Sequence, residues 1–178
     1  MDSINAQQPE NNHEDLSGKK AVERIKEVVK KSATCFFCTA VSHGGSGATR
    51  PMSVQDVDDQ GNLWFLSSND SYKNREIGER PDVRLFFQGS EHAGFLALTG
   101  KASISTDKKK IEELWEPIVK TWFTGGVDDP RITVIRVRPT GGYYWDNKHG
   151  ALVAGAKMLL GAAIGKTLDD SIEGRLAP

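Results

Sequence analysis

Hydrophobic positions change period several times along this chain. Between residues 18 and about 31, Val22, Ile25, Val28 and Val29 recur at helical spacing, and Ser17 stands where a cap is needed. Short apolar or alternating runs then follow at hairpin intervals, over residues 35–41, 50–57, 63–67, 83–88, 95–105, 132–137 and 142–145. The connections HGGSG (43–47) and DDQGN (58–62) are rich in residues that tolerate positive φ, so the first three runs read as an antiparallel meander. Residues 71–80 predict a short helix that Pro81 ends, because the residue before proline avoids the helical region. Residues 107–121 predict a longer helix capped by Thr106 or Asp107. Its apolar stripe is Ile111, Leu114, Trp115, Ile118 and Val119, and a kink is expected at Pro117. Many short strands with three or four helices lack the alternation that builds a parallel sheet. The expected fold is mainly β with helices: an antiparallel, Greek-key-like barrel of six to seven strands, closed or partly closed, with flanking helices.

Composition narrows the class. At 178 residues, 38% hydrophobic and 26% charged, the chain is long enough for one domain with a core that needs no metal or disulfide to hold it. Its net charge of −1 hides an asymmetry: residues 1–16 carry Asp2, Glu10, Glu14 and Asp15 and no Lys or Arg, which leaves the rest at +3. That surplus is too small for a nucleic-acid binder, though it allows a local basic pocket. The organisation expected is an acidic disordered tail (1–16), a folded domain (17–150) and a Gly- and Ala-rich C-terminal extension (151–178) that packs on the domain or on a dimer. Residues 151–165 are too short and too interrupted to span a membrane, and no apolar leader follows the start Met, so the expected location is the cytoplasm with no membrane partner. Cys35 and Cys38 form a C-x-x-C inside a strand-like run, where a spacing of three puts the two thiols on opposite faces. They read as reduced and structural, and no metal site is expected.

Common catalytic signatures are absent. The pairs Asp58/Asp59, Asp128/Asp129 and Asp169/Asp170 read as solvated turn charges, and His13, His43, His92 and His149 as surface residues. The informative stretch is WFLSSNDSYKNREI (64–77), a strand that ends in hydroxyls and amides and leads straight into a helix start. Ser67, Ser68 and Ser71 offer O–H donors there, the first amides of the helix are unpaired, and Lys73 adds a full charge. Hairpin pairing through residues 58–62 would bring Arg50 alongside Ser67, so that two cations converge on one anion, with a phosphate the best match. The same serines would equally serve to cap the helix, with Lys73 in solvent.

These residues carry a resemblance. RPMSV (50–54), FLSSNDSYK (65–73), VRLFF (83–87) and LTGKA (98–102), in that order and spacing, resemble the flavin-binding pyridoxamine 5'-phosphate oxidase-like family. LWEP (114–117), WFTG (122–125), DDP (128–130) and YWD (144–146) resemble its bacterial general stress protein branch, and the likeness covers about residues 21–165. It implies a split β-barrel that dimerises with a flavin between the subunits, FMN preferred and FAD allowed. Arg50 and Lys73 would hold the flavin phosphate with Ser67, Ser68 and Ser71. The backbone of Pro51, Met52, Ser53 and Val54 would meet the isoalloxazine edge, and Trp145 would lie either against the flavin of the other subunit or in the dimer interface. Where true pyridoxamine phosphate oxidases hold substrate phosphate with a basic cluster, TWFTGGV (121–127) has no cation, so the likeness does not extend to that substrate. No residue is assigned a catalytic role. The functions left open are a flavin-dependent oxidoreductase, a flavin-sequestering module without turnover, and a related barrel that binds haem or F420.

Overall fold

A computed structural model describes residues 12–43, 48–90, 94–149, 156–157, 160 and 170–178 of the protein. Helix α1 (Gly18–Lys31) has the predicted bounds, and its stripe of Ala21, Val22, Ile25, Val28 and Val29 is buried. Ser17 occupies the cap position but makes no side-chain capping bond. Two further helices are α2 (Tyr72–Glu79) and α3 (Lys108–Leu114). The single kinked helix expected over 107–121 is instead two pieces: α3 ends at Leu114, Trp115 after it is extended, and a 3-10 turn resumes at Pro117–Thr121. Proline, which cannot donate to an interior helical bond, starts the new turn rather than bending the old helix. Ile118 is consequently exposed while Val119 faces inward.

Nine strands, not six or seven, build the sheet among the described residues. They are β1 (Leu16–Ser17), β2 (Thr34–Thr39), β3 (Thr49–Ser53), β4 (Asp56–Val57), β5 (Leu63–Ser68), β6 (Asp82–Gln88), β7 (Phe95–Ser105), β8 (Ile132–Asn147) and β9 (Ser171–Ala177). Their order is β1-β9-β8-β7-β6-β2-β3, with β5 also on β8 and β4 on β5. The runs read as 132–137 and 142–145 are one strand of 16 residues. One edge of β8 serves two partners, β5 against residues 132–137 and β9 against residues 142–147. Conversely, the run read as 50–57 divides in two. Val54 donates its N–H to Ala33 O at 2.8 Å on one side of the sheet, and Gln55 donates to Trp64 O at 2.8 Å on the other. Two successive residues thus tie together the opposite edges of the sheet, which must curl into a barrel left open between β3 and β4.

The terminal segments join the same sheet. Strand β9 pairs antiparallel with β8 and parallel with β1. Residues 12–16, the end of the stretch expected to be a tail, therefore run with Ser17 beside the C-terminus. Gly174 permits this approach, since a Cβ there would overlap the Glu14 carbonyl. Residues 1–11, the predicted turn at 44–47, His92 and most of the Gly- and Ala-rich stretch 151–165 lie outside the described residues. No helix among the described residues is long and apolar enough to cross a membrane.

Strand β5 is covered on both faces. Leu63 and Phe65 enter the main core with α1, β2, β6 and β7, whereas Trp64 and Leu66 pack on a second cluster built from Ile111, Leu114, Val119, Phe123, Ile132 and Val134. Phe37 and Phe65, both without solvent exposure, meet edge-to-face at 5.4 Å inside the barrel. Phe65→Ala should lower stability by about 3–5 kcal/mol, measured as a shift in the urea unfolding midpoint at constant slope.

Candidate functional site

Where the barrel is open, β3, the end of β5 and the 3-10 turn enclose a cavity of about 660 Å³. One wall is Pro51, Met52, Ser53 and Gln55. The floor is Leu66, Ser67 and Ser68, and the facing wall is Val119, Trp122 and Phe123. Lys73, Asp70 and Arg131 bring charge to it.

The strand end and the helix start are locked together by one polar network. Ser71 caps α2, accepting from the Asn74 N–H. Ser67 Oγ donates to Asn74 Oδ1 at 2.9 Å and lies 3.2 Å from Ser71 Oγ. Asn74 Nδ2 donates to Thr133 Oγ1 at 2.8 Å, and that hydroxyl donates to Ser67 O at 3.0 Å. Ser68 Oγ donates to Asp70. The hydroxyl protons of Ser67 and Ser68, expected to serve an anion directly, are thus engaged within the protein. Their effect is to fix the first turn of α2, and with it Lys73, on the end of β5.

Behind this turn sits a fully buried carboxylate. Glu76 Oε2 accepts from Thr39 Oγ1 and from Arg50 Nη1, both at 2.7 Å, and Oε1 accepts from the His43 N–H at 2.8 Å. Burial by itself would raise its pKa. The donors from His43, Thr39 and Arg50 outweigh that and hold it below the ordinary range. Lys73 shows the opposite imbalance: burial first, and the Arg50 charge second, depress its pKa to about 8, against smaller raising effects of Glu76 and Asp70. An ammonium taken from water and set beside a guanidinium is a site short of negative charge.

The candidate residues separate on this geometry. Pro51, Met52, Ser53, Ser67, Ser68 and Lys73 line the cavity. Arg50 stands behind it, bonded to Glu76, close enough to act on Lys73. Ser71 is the helix cap, and Lys73 Nζ reaches its Oγ at 3.4 Å. Val54 points into the core and spends its N–H on Ala33, so Gln55 takes the place expected for it along the wall. Trp145 is not at the cavity of its own chain. It lies 41% exposed on the outer face of β8, with its ring 4.8 Å from that of Tyr143.

Sequence reading missed two residues. Arg131 enters the cavity just past the cation-free 121–127 segment, aligned by two bonds to Asp129, Nε to Oδ1 at 3.0 Å and Nη2 to Oδ2 at 2.7 Å. Asp129 is therefore not a solvated turn charge. Its bonds from the Arg131 side chain and backbone hold its pKa at about 2. Asp170 is likewise buried, accepting from His149 and Lys157. The second omission is Glu76, a polar helix residue that nothing in the periodicity marks as interior. Cys35 is buried, with its thiol pushed up to about 12 by desolvation and then by Cys38, and neither cysteine is in a disulfide. Among the described residues no His, Cys, Asp or Glu cluster could hold a metal ion.

A family model described as pyridoxamine 5'-phosphate oxidase like matches residues 20–169. Among curated proteins, bli-3 of Neurospora crassa is 27% identical over 118 residues, 61% of this chain and 56% of that one, so the chain spans little more than half of that relative. A Jannaschia sp. CCS1 structure assigned to general stress protein 26 superposes with a TM-score of 0.74 at 20% identity, covering 88% of this chain and 97% of that one, which shows the shared fold. The general stress FMN/FAD binding protein of Xanthomonas citri is 26% identical, with a TM-score of 0.60 over 70% of this chain and 87% of its own.

The polar network makes a direct prediction. Asn74→Ala leaves the Ser67 and Thr133 hydroxyls buried without their partner and should cost about 1–3 kcal/mol in urea unfolding, whereas Asn69→Ala, on the exposed turn nearby, should cost less than about 0.5 kcal/mol.

Proposed function

This chain belongs to the pyridoxamine 5'-phosphate oxidase-like family, and from that premise we propose that it is a flavin-binding general stress protein whose open cavity takes FMN, phosphate end toward Lys73. The observation that carries the reading is the charge imbalance at that end. Lys73 is partly desolvated next to Arg50, and a phosphate placed against it would supply the missing counter-charge. A volume of about 660 Å³ lies within the range of small-molecule and cofactor sites, roughly 300–1,000 Å³. The name of the Xanthomonas citri relative, an FMN/FAD binding protein, supports the same ligand class.

On this reading Lys73 holds the phosphate directly and Arg50 adds its charge from behind. The start of α2 contributes N–H groups, and the Ser67, Ser68 and Ser71 network keeps that helix start in place. Pro51, Met52 and Ser53 give the ring an edge of strand backbone, with Gln55 in place of Val54, and Trp122 and Phe123 form the opposite side. A bound flavin supplies hydride or electron transfer at its ring, and the chain's own contribution is to orient it and keep water from one face.

The dimer belongs to the same proposal. Phe36, Phe86 and Trp145 are exposed on the outer face of the sheet, at 59%, 37% and 41%. Phe36 and Phe86 are direct cross-strand partners beside Pro51, so this apolar face adjoins the cavity wall. Apolar surface of this kind is characteristic of an interface, and a second copy covering it would bring a further Trp145 toward the open side.

Arg50→Ala with Lys73→Ala removes one charge-assisted contact worth about 1.5–3 kcal/mol and the guanidinium charge behind it, so FMN affinity should fall by at least about 10- to 10²-fold. Fluorescence titration with FMN measures this, and the absorption spectrum of the freshly purified parent separates flavin from haem. A double variant that binds FMN as the parent does would overturn the assignment.

A further inference from the structure

Glu76 is a fully buried charge that the flavin reading leaves without a task. It is fully buried on α2, and its donors come from three different parts of the chain: Thr39 at the end of β2, Arg50 on β3 and the His43 N–H beyond β2. Arg50 Nη1 also reaches Thr39 Oγ1 at 3.2 Å, so Thr39, Glu76 and Arg50 form a closed triangle. A buried carboxylate held this way costs desolvation that a stability argument alone does not explain. What the triangle fixes is the position of a guanidinium whose neighbour is Lys73.

Resting on the phosphate reading above, we propose that Glu76 is a positioning residue for the phosphate end: it holds Arg50 behind Lys73 so that a phosphate is taken up only together with a proton on Lys73. The charges facing Lys73 are Arg50 from β3, Glu76 on its own helix, Asp70 in the turn before α2, and, near Asp70, Arg131, itself paired with Asp129. On the far side of Glu76, the His43 imidazole pairs with Glu79. Glu76 faces Arg50 and Asp129 faces Arg131, so the charge of this end, with the exposed Asp70 beside it, changes with the Lys73 proton. Burial and the Arg50 charge bring that proton's pKa down to about 8 before any anion arrives. A phosphate, whose second ionisation lies near 6, enters as the dianion above neutrality. Where the Lys73 amine is unprotonated it takes one proton from solvent, and the ammonium then offsets one of the two charges of the dianion, the other facing the N–H groups at the start of α2.

The sign follows. The binding-competent form is the protonated one, so the phosphate-dependent part of affinity is complete below about pH 8 and lost above it, approaching tenfold per pH unit. Glu76 stabilises the Lys73 charge, so removing its own charge moves the midpoint to lower pH. A loss of packing alone would weaken binding at every pH without moving a midpoint.

The test is to titrate FMN and riboflavin, which has the same ring and no phosphate, into the full-length protein between pH 6.5 and 9.5. The ratio of the two affinities isolates the phosphate end. In the parent, the FMN preference should fall above a midpoint near pH 8. In Glu76→Gln the midpoint should shift to lower pH, and in Lys73→Arg, which keeps its charge throughout this range, the preference should not depend on pH. A pH-independent FMN preference in the parent overturns the inference and leaves the flavin reading standing. An unmoved midpoint in Glu76→Gln, or a Lys73→Arg preference that falls as the parent's does, also overturns it, the latter even where Glu76→Gln fails to fold. A parent with no preference for FMN over riboflavin overturns the phosphate reading itself.

Discussion

Two peptide groups set the geometry on which the rest depends. The N–H of Val54 goes to Ala33 beside β2, and the N–H of the next residue, Gln55, goes to Trp64 on β5. A chain that changes sheet edges in one step cannot lie flat, so the sheet wraps around the main core and leaves its opening between β3 and β4. The residues on either side of that crossing, Pro51 to Ser53 and Gln55, become one wall of the cavity. The other walls come from the end of β5 and from the 3-10 turn that starts where Pro117 interrupts the helical run. Fold and site are therefore a single construction: the constraint that curls the barrel also places Arg50 behind the first turn of α2.

Charge is unevenly spread over the cavity lining. Lys73 and Arg50 stand together, with Glu76 buried behind them and the exposed Asp70 beside Lys73 to offset their charge. Arg131, held by the two oxygens of Asp129, has its carbonyl bonded to the Asn69 N–H, next to Asp70, and its guanidinium over the Phe123 ring. Val119, Trp122 and Phe123 make the adjoining part of the lining apolar. A molecule that joins a phosphate to a planar, mostly uncharged ring system matches a lining of this kind, and the charge imbalance at Lys73 is what selects the phosphate.

Much of this is legible in the amino-acid sequence where local rules decide. Helix α1 has the predicted bounds because four apolar residues at helical spacing leave no alternative packing, and α2 stops before Pro81 as the steric restriction demands. The Lys73 and Ser71 placement follows from a strand running into a cap. What was not legible depends on contacts distant in sequence. Strand β8 reads as two because Gly141 and Gly142 sit where it changes partners from β5 to β9. Strand β1 has only two residues and β9 carries Glu173, Gly174 and Arg175 at its middle, and the two pair because the ends of the chain find each other, with Gly174 leaving room. Arg131 after a proline turn looks like surface charge until the cavity is formed around it. Glu76 looks like the polar face of α2 until Thr39, His43 and Arg50 converge on it.

The central claim is that the Lys73 end of the cavity receives a phosphate. A crystal structure of the protein grown with FMN tests it most directly. The phosphate should lie within hydrogen-bond distance of Lys73 Nζ, at the start of α2, with the ring lying along Pro51 to Ser53. FMN bound with its phosphate at Arg131, or bound away from this cavity altogether, would contradict it.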